Sequence, residues 1–349
     1  MSRSRASFGN LLCILGFVLA FAASISAAGD PVADKPTIAA PAYRLSGPYT
    51  YENLTIYLIH GQDRVKDKNY LTLPEALAQK KVIVHETKNV NQLSIENVSK
   101  DEVFVQAGDI VKGGQQDRVI AHDLIVPAQS GKMPIASFCV EAGRWTQRGA
   151  ENVGRFEVSL NQAPTNGLKI ALRKSKQQQE VWKNVDKTQM QLANNLGQEV
   201  RSSASASSLQ LTLENAKLGQ TTDAYLKKLA SIVDGKNDVI GYAVAINGKI
   251  TNADIYISHG LFQKVWPGLL KGSTVEAIAE MQKDKKFTAP TSEAILGFLA
   301  DAERGKATSQ EITKRVRLVQ HETDKGVLFE THDVSAKNMP AVRRSLISK

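Results

Sequence analysis

Residues Gly108-Asp-Ile-Val-Lys-Gly-Gly-Gln-Gln-Asp-Arg118 hold the densest run of polar groups within an otherwise strand-like stretch. Gly113 and Gly114 let a backbone turn through positive φ and come close to a partner. Lys112, Gln115, Gln116 and Arg118 crowd donors around that turn, with Asp117 among them. Such a loop suits an anion, cradled by backbone N–H groups and gripped by a guanidinium fork. A tight solvated turn uses the same residues. The spacing is not that of a P-loop, since Gly-x4-Gly-Lys-Ser/Thr is absent.

A second cluster is Cys139-Val-Glu-Ala-Gly-Arg-Trp145. Strand alternation puts Cys139 and Glu141 on one face, and Gly143 permits a bend that turns Arg144 and Trp145 elsewhere. Glu141 and Arg144 either orient a ligand or lock each other. A nucleophilic cysteine needs a lowered pKa and a nearby base; no histidine neighbours Cys139 in sequence, so it reads as a buried, inert thiol. The histidines are His60, His85, His122, His259, His321 and His332. They form no His-Glu-x-x-His, His-x-His or Cys/His pair, so neither a metal site nor a cofactor is expected. His122 shares strand parity with Ile120, Leu124 and Val126 and reads as a core histidine. Gly-x-Ser-x-Gly and Gly-x-Gly-x-x-Gly are missing.

These clusters need a β framework. From Tyr51 to about Leu160 the sequence is a series of short strand-like runs separated by turn residues, which argues for a sandwich- or barrel-like unit. Val119–Val126 and Ile135–Glu141 form its expected hairpin. Trp182, Val185, Gln189, Leu192 and Leu196 recur at helical spacing and predict a helix over Gln177–Leu196. Arg201-Ser-Ser-Ala-Ser-Ala-Ser-Ser208 reads as an exposed loop. Further on, Asn247-Gly248 joins a hairpin, helices are expected at about 259–283 (interrupted at Trp266-Pro267-Gly268) and 291–304, and Thr313–Gln320 pairs with Val327–Glu330. The fold class is α+β, with a mostly-β N-terminal unit and an α+β C-terminal part. The expected division is a signal peptide at 1–28, a flexible lead-in at 29–45, a β domain at 46–160, a helical and Ser-rich connection at 161–215, and an α+β domain at 216–345.

Arg3 and Arg5, the apolar run Leu11–Ala23 and Ser26-Ala-Ala28 have the layout of a secretory signal. The apolar core is shorter than the roughly 20 residues that span a bilayer. The expectation is a secreted or periplasmic protein, free of the membrane after cleavage, with Cys139 as its one cysteine. The net charge of +9 is interleaved with acids and does not point to nucleic acid.

The run Gly108–Ile120, followed by Asp123-Leu-Ile-Val-Pro-Ala and Phe138-Cys-Val-Glu-Ala-Gly-Arg-Trp145, resembles the ARG and Rhodanese-Phosphatase-superfamily-associated protein domain family. That family is named for its genomic company, so the resemblance implies a link to ADP-ribose or NAD-derived compounds by association. Three functions stand against one another. A binding module would present Lys112, Gly113, Gly114, Gln115, Gln116, Asp117, Arg118, Glu141 and Arg144 to a small anionic or polar ligand. A hydrolase of a nucleotide- or sugar-like substrate would use Asp117, Asp123 or Glu141 as base. A structural or interaction protein would lock Arg118, Glu141 and Arg144 into a buried ion network.

Overall fold

A computed structural model describes residues 43–65, 68–144, 146–175, 177–335 and 339–349. The segment expected to be a signal peptide, most of the expected lead-in and Trp145 lie outside them. The lead-in ends before 45, because Arg44 and Leu45 already pair with His60 and Ile59. β1 (Arg44–Tyr51) and β2 (Leu54–His60) form a hairpin, then β3 (Leu71–Thr72) runs into α1 (Leu73–Ala78). A capping box starts α1: Thr72 caps the Glu75 N–H, and the Glu75 carboxylate returns to the Thr72 N–H. There follow β4 (Val82–Asn89), β5 (Gln92–Asn97), β6 (Val103–Val105), β7 (Asp109–Gly113), β8 (Arg118–Ile120), β9 (Leu124–Val126), β10 (Gly131–Cys139) and β11 (Phe156–Gln162).

Six of these strands form one sheet in the order β11-β7-β8-β10-β5-β4. A bridge between His85 and Arg155 and a hydrogen bond from the Glu86 N–H to the Gly154 carbonyl bring β4 back towards the start of β11. The curl gives the barrel-like N-terminal unit, and β3-β6-β9 forms a small sheet beside it. Val119–Val126 is not one strand. β8 pairs with β10, whereas β9 pairs with β6 in the other sheet, so the chain changes sheets at Ala121–Asp123. His122 lies in that crossing, on neither strand, so it shares no strand face with Leu124 and Val126 and is half-buried.

α2 (Asn166–Ile170), a π-helical turn at Ala171–Ser175 and α3 (Gln178–Leu196) follow, close to the helix that the spacing predicts. α3 stops at Gly197, in the left-handed conformation that glycine adopts at least cost. Then come α4 (Leu209–Leu213), α5 (Ala216–Leu229), the hairpin of β12 (Val239–Ile246) and β13 (Lys249–Tyr256), α6 (His259–Ala279) and α7 (Ser292–Glu303). α6 is continuous through Pro267. Proline removes one N–H from the ladder, but Gln263, whose carbonyl it would have met, is exposed and open to water.

The chain ends in β14 (Lys306–Glu311), β15 (Val316–Glu322), β16 (Gly326–Asp333) and β17 (Ala341–Ser348). The second large sheet is antiparallel, in the order β1-β2-β12-β13-β17-β16-β15-β14. β2, which belongs to the 46–160 segment in sequence, thus pairs with β12 and carries β1 with it into the sheet of the C-terminal strands. Phe262 and Trp266 of α6 pack on one face against Tyr242 and Tyr256; Ile295 and Ala302 of α7 join Tyr57, Ile240 and Leu346 on the other. Coverage on both sides explains why all of β2 and β12 is buried. No helix among the described residues is long and apolar enough to cross a membrane.

Candidate functional site

The two sequence clusters meet, and they meet inside the protein. Gly113 and Gly114 turn β7 towards β8 at φ values of 107° and 56°, and a Cβ at Gly114 would lie 2.4 Å from the Phe156 ring. The turn delivers Asp117, which has no solvent exposure. Arg148 donates to both its carboxylate oxygens at 2.9 Å, Ser208 Oγ donates at 2.9 Å, and the Gly113 N–H donates at 3.0 Å. Glu141, also fully buried, accepts from Arg144 Nε at 2.8 Å, from Arg148 Nη1 at 3.3 Å and from the Asp117 N–H at 3.1 Å. Burial alone would push the Glu141 carboxyl up; its hydrogen bonds, that of Arg144 foremost, outweigh this and hold it below its ordinary value. Arg144 also donates to the Gly113 and Gly114 carbonyls, fastening the turn.

Arg118 lies apart from this ring of charges. It is fully buried, donates to Gln116 Oε1 at 3.1 Å, touches the Cys139 sulfur and sits 3.5 Å from Glu86. Burial pushes the Cys139 thiol up to about 11, so the thiol is protonated at neutral pH. Lys112 pairs with Glu214 at 2.8 Å, and the Gln115 N–H points to Glu86. Sequence reasoning missed Arg148 and Ser208. Ser208 lies in the stretch expected as an exposed loop, yet it is wholly buried on Asp117 and caps α4.

A third polar cluster joins the two large sheets. Asp123 accepts from Arg343 Nη1 at 2.9 Å, from Thr331 Oγ1 at 2.6 Å and from the Ala107 N–H at 2.7 Å, with Arg173 at 3.4 Å. Arg343 also grips Asp254 at 2.8 and 3.0 Å. Burial would raise the Asp123 carboxyl, but Arg343 and Arg173 outweigh it and the net shift is downward. From this cluster a hydrogen-bond chain runs outward: Tyr256 Oη to Gln106 at 2.7 Å, Gln106 to Gln162 at 3.3 Å, and Gln162 to Asp109 at 2.9 Å.

Asp109 ends that chain on the wall of a cleft of about 450 Å³. The cleft lies between α1, β11 and α6, with Leu226 of α5 at one side. Most of its surface is apolar, from Pro74, Ala78, Phe104, Leu160, Val265 and Pro267. β11 opens it: between Val158 and Gln162 the register with β7 slips, and Leu160 stands exposed. The polar lining includes Glu75, Asp109, Asn161, Lys264 and Lys271. Burial pushes the Asp109 carboxyl up to about 7, against hydrogen bonds from Gln106 and Gln162. None of Lys112–Arg118, Glu141 or Arg144 lines this cleft. Asp109 was present in the first motif but carried no sequence signal beyond its neighbours, and Lys271 had none. Among the described residues no group of three or more His, Cys, Asp or Glu side chains could hold a metal ion.

Against known proteins, the family description that matches is the ARG and Rhodanese-Phosphatase-superfamily-associated Protein domain, over residues 42–338. The match crosses both large sheets. Neither the curated proteins nor the solved structures contain a significant match.

Proposed function

The chain belongs to this family, and from that premise we propose that it is a binding module for a small polar or anionic ligand, exported from the cytoplasm. The observation that carries the proposal is the cleft of about 450 Å³ with the buried carboxyl of Asp109 on its wall. Ligand sites typically enclose roughly 300–1,000 Å³, mostly apolar, with a few converging polar groups. In this reading the Gly108–Arg118 and Cys139–Arg144 segments serve as the scaffold. Their carboxylates and guanidiniums pair with each other, which supports a locking role and leaves recognition to the cleft.

The test is a thermal-shift panel on the chain lacking residues 1–28. It includes ADP-ribose and NAD, which the family's associations bring forward, with sugar phosphates and simple carboxylates. A ligand at about 100 times its Kd adds roughly 2.7 kcal/mol of stability. Ala78→Trp places an indole at the cleft and abolishes any genuine hit. A hit that survives Ala78→Trp refutes the cleft as the site.

A hydrolase is the second reading, favoured by the near-neutral Asp109 carboxyl. Asp117, Asp123 and Glu141 are each committed to guanidinium pairs, so Asp109 takes the general acid–base role in this version. Turnover of a nucleotide- or sugar-like compound that persists in Asp109→Asn rejects it.

A further inference from the structure

We infer that the cleft takes an amphipathic anion, a small molecule with an apolar body and one carboxylate-like end, and that Lys271 receives that end. The inference rests on the binding reading above and names the ligand class. Two lysines of α6 line the cleft, Lys264 and Lys271; seven residues apart, they lie on one helix face. Their states differ. Lys264 is engaged, donating to Asn69 Oδ1 at 2.8 Å and to the Tyr70 carbonyl at 2.7 Å, with Glu75 at 3.9 Å. Glu75 is itself held by the Thr72 N–H at 2.8 Å.

Lys271 is half-buried and, among the described residues, has no hydrogen bond and no ion pair. Two carboxylates reach it only through space, Asp223 and Glu214. Asp223 is exposed, and Glu214 is already bound by Lys112 and Gln210. Burial lowers the Lys271 pKa because neither neighbour fully compensates its charge. An ammonium left half-desolvated beside an apolar wall gains a charge-assisted hydrogen bond when an anion arrives. Phe104, Val265 and Pro267 supply the surface for the apolar body.

The probes are octanoate and octan-1-ol, which share a tail and differ in charge, titrated calorimetrically into the chain lacking residues 1–28 at neutral pH. Octanoate is expected to bind at least about tenfold more tightly than octanol. Lys271→Met keeps the stem and removes the charge; it should erase that preference while octanol affinity stays within about twofold. Ala78→Trp should weaken both probes. Equal affinities in the wild-type chain, or an octanoate preference that survives Lys271→Met, overturns the anion assignment and leaves the cleft intact. Octanoate binding indifferent to Ala78→Trp overturns the cleft as well. Failure of both probes to bind at millimolar concentration overturns the ligand class, whatever the wider panel finds.

Discussion

Arg343→Met should weaken the whole molecule, because this one side chain ties the N-terminal unit to the C-terminal sheet. Its guanidinium reaches Asp123, between β8 and β9, at 2.9 Å and Asp254 of β13 at 2.8 Å. All three side chains are buried. Removing the arginine leaves Asp123 with Arg173 at 3.4 Å and Thr331, whereas Asp254, among the described residues, keeps no ion pair and feels Arg173 only through space. Breaking a buried pair from one side costs about 3–5 kcal/mol, set against a total stability of roughly 5–15 kcal/mol for an ordinary protein. At roughly 2 °C per kcal/mol, the value for a large domain, the melting temperature falls by about 6–10 °C. Urea unfolding, followed by far-UV circular dichroism and tryptophan fluorescence together, measures it. Arg343→Met/Asp254→Asn should recover at least half the loss, since the stranded charge is gone. A single substitution costing under about 1 kcal/mol, or a double variant no better than the single, refutes the reasoning.

Two further outcomes follow from particular groups. Gly114→Ala meets both a φ of 56° and the Phe156 ring at 2.4 Å, so it should cost about 1–3 kcal/mol in denaturant unfolding; wild-type stability would mean that the turn is not fixed as described. Asp109 and Glu276 both have carboxyls raised to about 7 by burial, from ordinary values of 3.8 and 4.5. On these two groups the folded state therefore holds protons that the unfolded state releases, and their contribution to stability falls as pH rises from about 4 to about 7. Asp109→Asn and Glu276→Gln should each flatten that fall, and an unchanged slope in both contradicts the assignment.

The sequence by itself determined several of the elements and the family. Helical spacing marked α3 to within a residue, Asn247-Gly248 marked the β12–β13 hairpin, and the short β runs marked the barrel-like unit. Local periodicity suffices there because each element buries its own face. The motifs around Gly113 and Glu141 were legible as polar clusters that belong together. What they do to each other was not. Arg148 and Ser208 complete the Asp117 site from 31 and 91 residues away, and no local pattern announces such partners. Val119–Val126 misled because strand alternation cannot reveal that a chain changes sheets at Ala121–Asp123. Only the tertiary structure made Asp109 a cleft carboxyl and left the Lys271 ammonium, among the described residues, without an ion pair. Desolvation and charge pairing depend on which distant surfaces close over a group, and in this protein those surfaces come from α1, β11 and α6, whose residues lie far apart along the chain.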